Sequence, residues 1–555
     1  MAEIVVGPML RHVSETSATI FVETDGPAEV DINGSVASTF CVGGHHYALV
    51  IIEGLLPGST VEYTVLLDGS RCWPPPDSTM PPSVLRTLGR PGPLRVLFGS
   101  CRAAAPHEPP WSLSPTDDPL GTGVDSLRAH GLRMVAQTPD EWPQFLLLLG
   151  DQVYADEPSP ETRQRMRNRS PSDTTPPGMV GGFEEYTWLY EESWRPDVER
   201  WVFSVVPSAM IFDDHDMIDD WNISRSWVRD IRRQPWWDEH VIGGLVSYWI
   251  YQHLGNLSPA EIRDEGMLSR LCTEVDGLSY LREWARESER FTPVEGGYRF
   301  SFARQLGRTR LVVIDCRNGR NLEPDRAMVG AEEWSWIEAQ CRLGADHLLL
   351  GTSLPVMVPG GLHGFQEWNA ALCDGKWGGL IARGSERLRR FLDLEDWPAF
   401  EPSLRRLLAM LDDIRTGPES PATISILSGD IHFSFVAEAR FDLPETEKQD
   451  AHADSTPSRV YQIVSSPIRN ALARRDRNIM RFAVSRTGRR IGGLMTRSIG
   501  RSRQRASWTI THGPEFANEM GVLTIDGRRM HLEIERARLS DDNQTILETV
   551  IDTDL

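Results

Sequence analysis

The stretch FLLLLGDQVYADE, residues 145–157, decides the fold. Its five leading apolar residues are too few for a helix and fit a strand buried on both faces. Gly150 then breaks the run, and Asp151 follows at the strand's carboxyl end. In open α/β sheets that end faces the crevice where ligands bind. A carboxylate placed there after a glycine can approach two cations and bridge them. Tyr154, three residues on, can bring its phenol to the same place, and a phenolate prefers a strongly Lewis-acidic trivalent ion, typically ferric iron.

Three further segments repeat this grammar. LRVLFGSCR (94–102) ends in Cys101, a thiolate donor. AMIFDDHDMIDDW (209–221) ends in Asp213, Asp214, His215 and Asp216. Three carboxylates around one imidazole repel each other unless cations neutralise them. One of them can bind metal, and the imidazole can protonate a leaving oxygen. SILSGDIHFSF (425–435) supplies Asp430 and His432, two positions apart in an extended turn. Taken singly, each residue has an ordinary explanation: a core-rim aspartate, a hydrogen-bonded tyrosine, a buried cysteine, a surface acid patch. The ordered set is informative because chance must place each one after its own apolar strand.

Outward from these motifs, strands are expected at 94–99, 145–149, 208–212, 309–314, 346–350, 423–428 and 460–464, separated by longer segments. That alternation predicts an α/β layered domain over 91–555. Residues 1–90 read instead as a small all-β domain with alternating runs such as SATIFVET and VEYTVLLDGS. LLPGSTVEYTVLLDG resembles the late strands of a fibronectin type III sandwich. PPPDSTMPP and LGRPGP mark the boundary. Residues 158–180 read as a Pro/Ser/Arg-rich mobile loop. Residues 216–300 read as a helical cap carrying Trp221, Trp227, Trp236, Trp237 and Trp249, most of them expected to pack on the core. GVLTIDGRRMHLEIERA (521–537) predicts a hairpin about an Asp-Gly turn that closes a sheet.

Residues 469–505 hold twelve arginines (469, 474, 475, 477, 481, 486, 489, 490, 497, 501, 503 and 505) against one acid, Asp476. Apolar residues intersperse them. The expected structure is a helix pair whose arginines meet the protein's own excess of acids. A membrane-surface helix, a nucleic-acid patch or a contact with an acidic partner are the alternatives.

The formal net charge of -21 argues against a role in gripping duplex nucleic acid. It also disfavours capture of a phosphorylated substrate unless cations sit in the pocket. No basic stretch precedes an apolar core near Met1, and no segment reaches the ~20 apolar residues of a membrane span. A cytoplasmic location is the expectation. The seven scattered cysteines show no paired spacing.

The motifs G-S-C, G-D-Q-V-Y-A-D, D-D-H-D-x-x-D-D-W and G-D-I-H-F-S, in this order, resemble the PhoD-type alkaline phosphatase family among the calcineurin-like metallophosphoesterases. The metal logic is similar to that of purple acid phosphatases, and the likeness spans nearly all of the chain. It implies a layered metallophosphatase core, an α/β/β/α-like sandwich of mixed sheets. It implies that Cys101, Asp151, Tyr154 and His432 surround a ferric ion, Fe3+. Asp151, Asp214 and Asp430 would surround one or two calcium ions, with Mn, Zn or Mg as other divalent options. His215 would be the acid or transition-state donor. In VVIDCRNGR, Arg317 and Arg320 would be phosphate or structural arginines. The family pattern has Asp-Asp-His-Glu where this chain has Asp216, and His363 is the nearest candidate for a further histidine ligand.

The expectation is therefore a metal-dependent phosphoesterase acting on monoesters or diesters through activated water. One alternative is a phospholipid or nucleic-acid phosphodiesterase on the same fold. Another is a binding protein that retains its metal site for structure.

Overall fold

The computed structural model describes residues 2–168, 175–176, 178–290, 297–322, 326–441, 457–500 and 505–555. Two mixed sheets form the core. One has six strands in the order Ser208–Ile211, Phe145–Leu149, Leu94–Gly99, Glu519–Asp526, Arg529–Leu539 and Thr545–Asp554. Its first three strands are parallel, and Leu94–Gly99 meets Glu519–Asp526 antiparallel. The other sheet has seven strands, in which Thr309–Ile314, His347–Thr352, Thr423–Ser428 and Arg459–Val464 lie parallel side by side.

Side-chain alternation explains how the layers assemble. In the seven-stranded sheet, Val313, Leu349, Leu427 and Ile463 face the six-stranded sheet and join Leu147 and Leu523 in one core. Their neighbours Val312, Leu350, Ile426 and Val460 face outward, into a second core with the helices Ala331–Cys341 and Glu401–Thr416. Strands buried on both faces read as unbroken apolar runs, which is why these seven were visible in the sequence. All seven expected strands are present, and the layered α/β class holds. The hairpin also forms, with Asp526 paired to Arg529, and its first strand closes the six-stranded sheet onto Leu94–Gly99.

The N-terminal strands between Ile4 and Trp73 form antiparallel sheets with their own core of Leu10, Ile20, Val30, Val50 and Val65. The opposite face, with Met9, Phe21 and Tyr47, joins the main core. Buried Arg11 fastens this seam by donating to the carbonyls of Tyr251 and Gln252 at 2.7 and 2.6 Å.

One expectation needs correction. Within 158–180, Pro160–Asn168 is a helix anchored by Thr162, whose hydroxyl donates to Glu192 at 2.6 Å; residues 169–174 and 177 lie outside the described residues. Within 216–300, residues 291–296 also lie outside them, and Trp221, Trp227, Trp236, Trp237 and Trp249 are all buried in the main core. Most of these tryptophans were expected to pack on the core, and all five do.

Candidate metal centre

Each of the four motif strands ends at the same rim. Backbone bonds lace the loops that follow: the Cys101 N–H donates to the Gly150 carbonyl at 3.1 Å, Arg102 to Asp151 at 2.8 Å and Ile468 to Ser100 at 2.7 Å. Four residues on this rim turn through the left-handed region, Cys101 (φ 59°), Asp151 (φ 50°), Asp430 (φ 66°) and His432 (φ 54°). That conformation is uncommon outside glycine and concentrates at functional sites. Here it folds each strand end sharply inward. Two glycines permit the approach. A Cβ on Gly150 would lie 2.5 Å from the Asp213 Cβ, and one on Gly429 would lie 1.9 Å from the Ser100 Oγ.

The side chains converge in two overlapping groups. Cys101, Asp151 and His432 each bring a ligand atom within 4.8 Å of the others, and so do Asp151, Asp213 and Asp214. Asp151 belongs to both groups. Asp430 ion-pairs with Arg317 at 3.5 Å, as Asp214 does at 3.1 Å, which places it on the second group's side. The Cys101 Sγ lies 3.1 Å from the Ser100 Oγ and 3.4 Å from the Ser466 Oγ. The Tyr154 hydroxyl accepts from the Asn470 amide at 3.0 Å, and its ring lies 4.7 Å from that of His215.

The electrostatics identify what the pocket is built for. Burial, reinforced by Asp213, raises Asp151 well above the carboxylate range. Asp430 rises for the same two reasons. Burial pushes Asp213 up to about 6 despite Arg317. Burial also opposes ionisation of Asp214, but Arg317 outweighs it and that carboxyl falls below its ordinary value. The Cys101 thiol and Tyr154 phenol are both raised well above normal, first by burial. His432 is lowered by burial to about 4, so its imidazole is neutral and its lone pair free to ligate. One oxygen each of Asp151 and Asp213 is buried without a hydrogen-bond partner among the described residues. Such atoms are costly unless a cation or donor meets them. Carboxylate, thiolate, phenolate and imidazole donors together fit cations, with the softer donors gathered on the Cys101 side.

His215 has a different setting. Its Nδ1 lies 3.0 Å from both oxygens of Asp156, and Asp156 also accepts from the Asp219 N–H at 2.7 Å. Burial works against a charged imidazole, yet Asp156 outweighs it and holds His215 well above its ordinary pKa. Asp156 therefore orients the His215 ring and favours its charged form at the rim.

The arginines take the structural of the two tasks the resemblance allowed. Arg317 is fully buried, bonded to Asp213, and reaches Glu395 at 2.6 Å. Arg320 reaches the same Glu395 at 2.9 Å and the Trp221 carbonyl at 3.2 Å. Both serve as internal counter-charges. His363 lies in the helix Gly360–Cys373, 3.5 Å from Glu367 and ring-to-edge with Trp508, in neither ligand group.

Sequence reading named Asp216 without its clamping role and missed two other residues that hold the site in shape. Asp216 accepts the backbone N–H groups of Asp151 (2.9 Å), Gln152 (3.2 Å) and Asp213 (2.9 Å), clamping two ligand loops together. Gln252 completes its shell at 3.0 Å. Asp156 and Asn470 are the other two. Asp156 was on view in the motif, but its pairing crosses 59 positions.

The comparisons with known proteins agree with this architecture. Residues 1–85 match a family model described as a domain of unknown function, DUF7800. A search of curated protein sequences returns no match. Among solved structures, the chain is similar to PhoD, with 10% identity, 98% of this chain and 88% of that chain covered, and a TM-score of 0.56. It also matches a purple acid phosphatase from yellow lupin (Lupinus luteus) seeds, with 11% identity, coverage of 98% and 74%, and a TM-score of 0.47. The PhoD likeness establishes a shared fold.

Proposed function

We propose that this protein is a metal-dependent phosphoesterase that hydrolyses phosphomonoesters or phosphodiesters. The observation that carries the reading is the convergence of Cys101, Asp151, His432, Asp213 and Asp214 at one rim, with one oxygen each of Asp151 and Asp213 buried and without a hydrogen-bond partner among the described residues. Ferric iron on the Cys101–Tyr154–His432 side and divalent ions, calcium by resemblance, on the Asp214–Asp430 side are consistent with the donor types. Bound cations would supply Lewis acidity toward phosphoryl oxygens and a nucleophilic water at neutral pH.

The chain's own residues perform the remaining work. Asp151, which belongs to both ligand groups, would contribute to holding a cation in either. Asp216 and the left-handed turns hold the ligand loops rigid, so little reorganisation is needed during reaction. Arg317 balances part of the negative charge, so that the carboxylates remain together without drawing every cation equally. His215 uses Nδ1 on Asp156, which leaves Nε2–H to donate to the departing ester oxygen.

The test is a panel of monoesters and diesters assayed alongside metal content. Asp151→Asn should abolish turnover of every ester and deplete metal in the same preparation. Retained turnover in the metal-depleted variant would refute the reading.

A further inference from the structure

The helices Arg474–Val484 and Arg486–Ser498 form the expected pair, but their arginines do not meet the protein's own acids. Among the described residues, no carboxylate lies within ion-pair distance of Arg474, Arg475, Arg486, Arg489, Arg490 or Arg497. Arg501 and Arg503 lie outside the described residues. Arg469 is the exception in kind: it is buried and donates to the Pro106 carbonyl at 2.6 Å. In a chain of net charge -21, a run of exposed, uncompensated cations is unexpected.

The apolar side chains of the same helices also face outward. Ile479, Phe482, Ile491 and Leu494 are each 44–62% exposed. The glycine face does the packing. A Cβ on Gly364, in the helix Gly360–Cys373, would come 2.4 Å from the Gly492 carbonyl oxygen. That contact turns small residues inward and leaves the large ones outward. A third helix, Gly379–Phe391, packs on Gly360–Cys373 and adds exposed Leu380, Ile381 and Phe391 with exposed Arg383 and Arg387. Of the fifteen large hydrophobics exposed among the described residues, nine fall in 377–392 and 479–494, so the apolar exposure is local.

We infer that these helices form a docking surface for an anionic lipid bilayer. Charge complementarity selects the partner. Nucleic acid would pair with the arginines but leave the isoleucines, phenylalanines and leucines in water. An interface of acidic headgroups over acyl chains satisfies both at once, as basic amphipathic helices do. The overall negative charge does not prevent this, because screening within ~8 Å lets a local patch act by itself. No helix among the described residues is long and apolar enough to cross a membrane, so the mode is peripheral. The chain runs from Asn470, which holds Tyr154, to the first basic helix in four residues, at most about 15 Å. Docking would therefore hold the rim of the candidate metal centre close to the lipid surface.

The inference does not depend on the hydrolase reading, and its test needs no turnover. The full-length protein is co-sedimented with vesicles of phosphatidylcholine alone and of phosphatidylcholine with about one-third phosphatidylglycerol. Binding is expected only to the anionic vesicles and should weaken as salt rises. The variants Phe482→Ser/Ile491→Ser/Leu494→Ser and Arg486→Gln/Arg490→Gln/Arg497→Gln should each lower partitioning by about 10-fold or more, while melting temperature stays unchanged. Failure to bind anionic vesicles overturns the inference, as does binding that survives both variants. Capture by a duplex oligonucleotide in place of vesicles would also overturn it.

Discussion

The rim pocket and the basic helices pose the same electrostatic problem with opposite sign. The pocket gathers Asp151, Asp213, Asp214, Asp216 and Asp430, and Arg317 ion-pairs with three of them, Asp213, Asp214 and Asp430. The helices gather exposed arginines with no carboxylate within reach among the described residues. The difference lies in solvent. Arginines in water tolerate their neighbours because water screens them, and an exposed charge contributes little to stability. Buried carboxylates have no such screening, so their repulsion must be met by hydrogen bonds, by Arg317, by protons or by cations. Unbalanced charge in the first region is thus what a bound cation would offset. In the second it reports on a surface that can wait for a partner.

That contrast can be broken most forcefully at its arginines. Arg317→Met should cost about 3–5 kcal/mol in denaturant unfolding, because it removes the ion partner of buried Asp213 and Asp214. Arg490→Met, on the exposed helix, should change stability by no more than about 0.5 kcal/mol. Equal costs at the two positions would erase the distinction.

Two further variants sharpen the pocket side. His215→Gln should reduce turnover by ~10² or more for esters with poor leaving groups, leave metal content intact, and have less effect with good leaving groups. An equal reduction across leaving groups would remove the acid role. Asp216→Asn should weaken metal affinity by roughly 10–100-fold in a chelator competition, because it orients the ligand loops without touching the cations. Affinity equal to wild type would show that the backbone clamp is not needed.

How far the sequence went follows from distance along the chain. Ligands adjacent to their own strands, such as Asp151 after LLLLG and Asp430 after SILSG, were legible because local pattern alone sets both strand and turn. Partners chosen by tertiary packing were not. Asp156 and His215, Arg317 and Glu395, and Asn470 and Tyr154 meet only once segments distant in sequence pack together. The helix Pro160–Asn168 was hidden by its low apolar content, since its hold on the protein is polar, through Thr162 and Glu192. The arginines of 474–497 were expected to find the chain's acids, but composition cannot say on which face an acid lies.

The measurement that bears most directly on the account is elemental analysis of wild-type protein, purified without added metal, beside Asp151→Asn, Asp214→Asn and Arg490→Met. The account predicts about two or more cations per wild-type and Arg490→Met chain, a loss at both positions in Asp151→Asn, and a loss confined to the divalent side in Asp214→Asn. A folded wild-type chain with no stoichiometric metal, or an Asp151→Asn chain with its full complement, would contradict it.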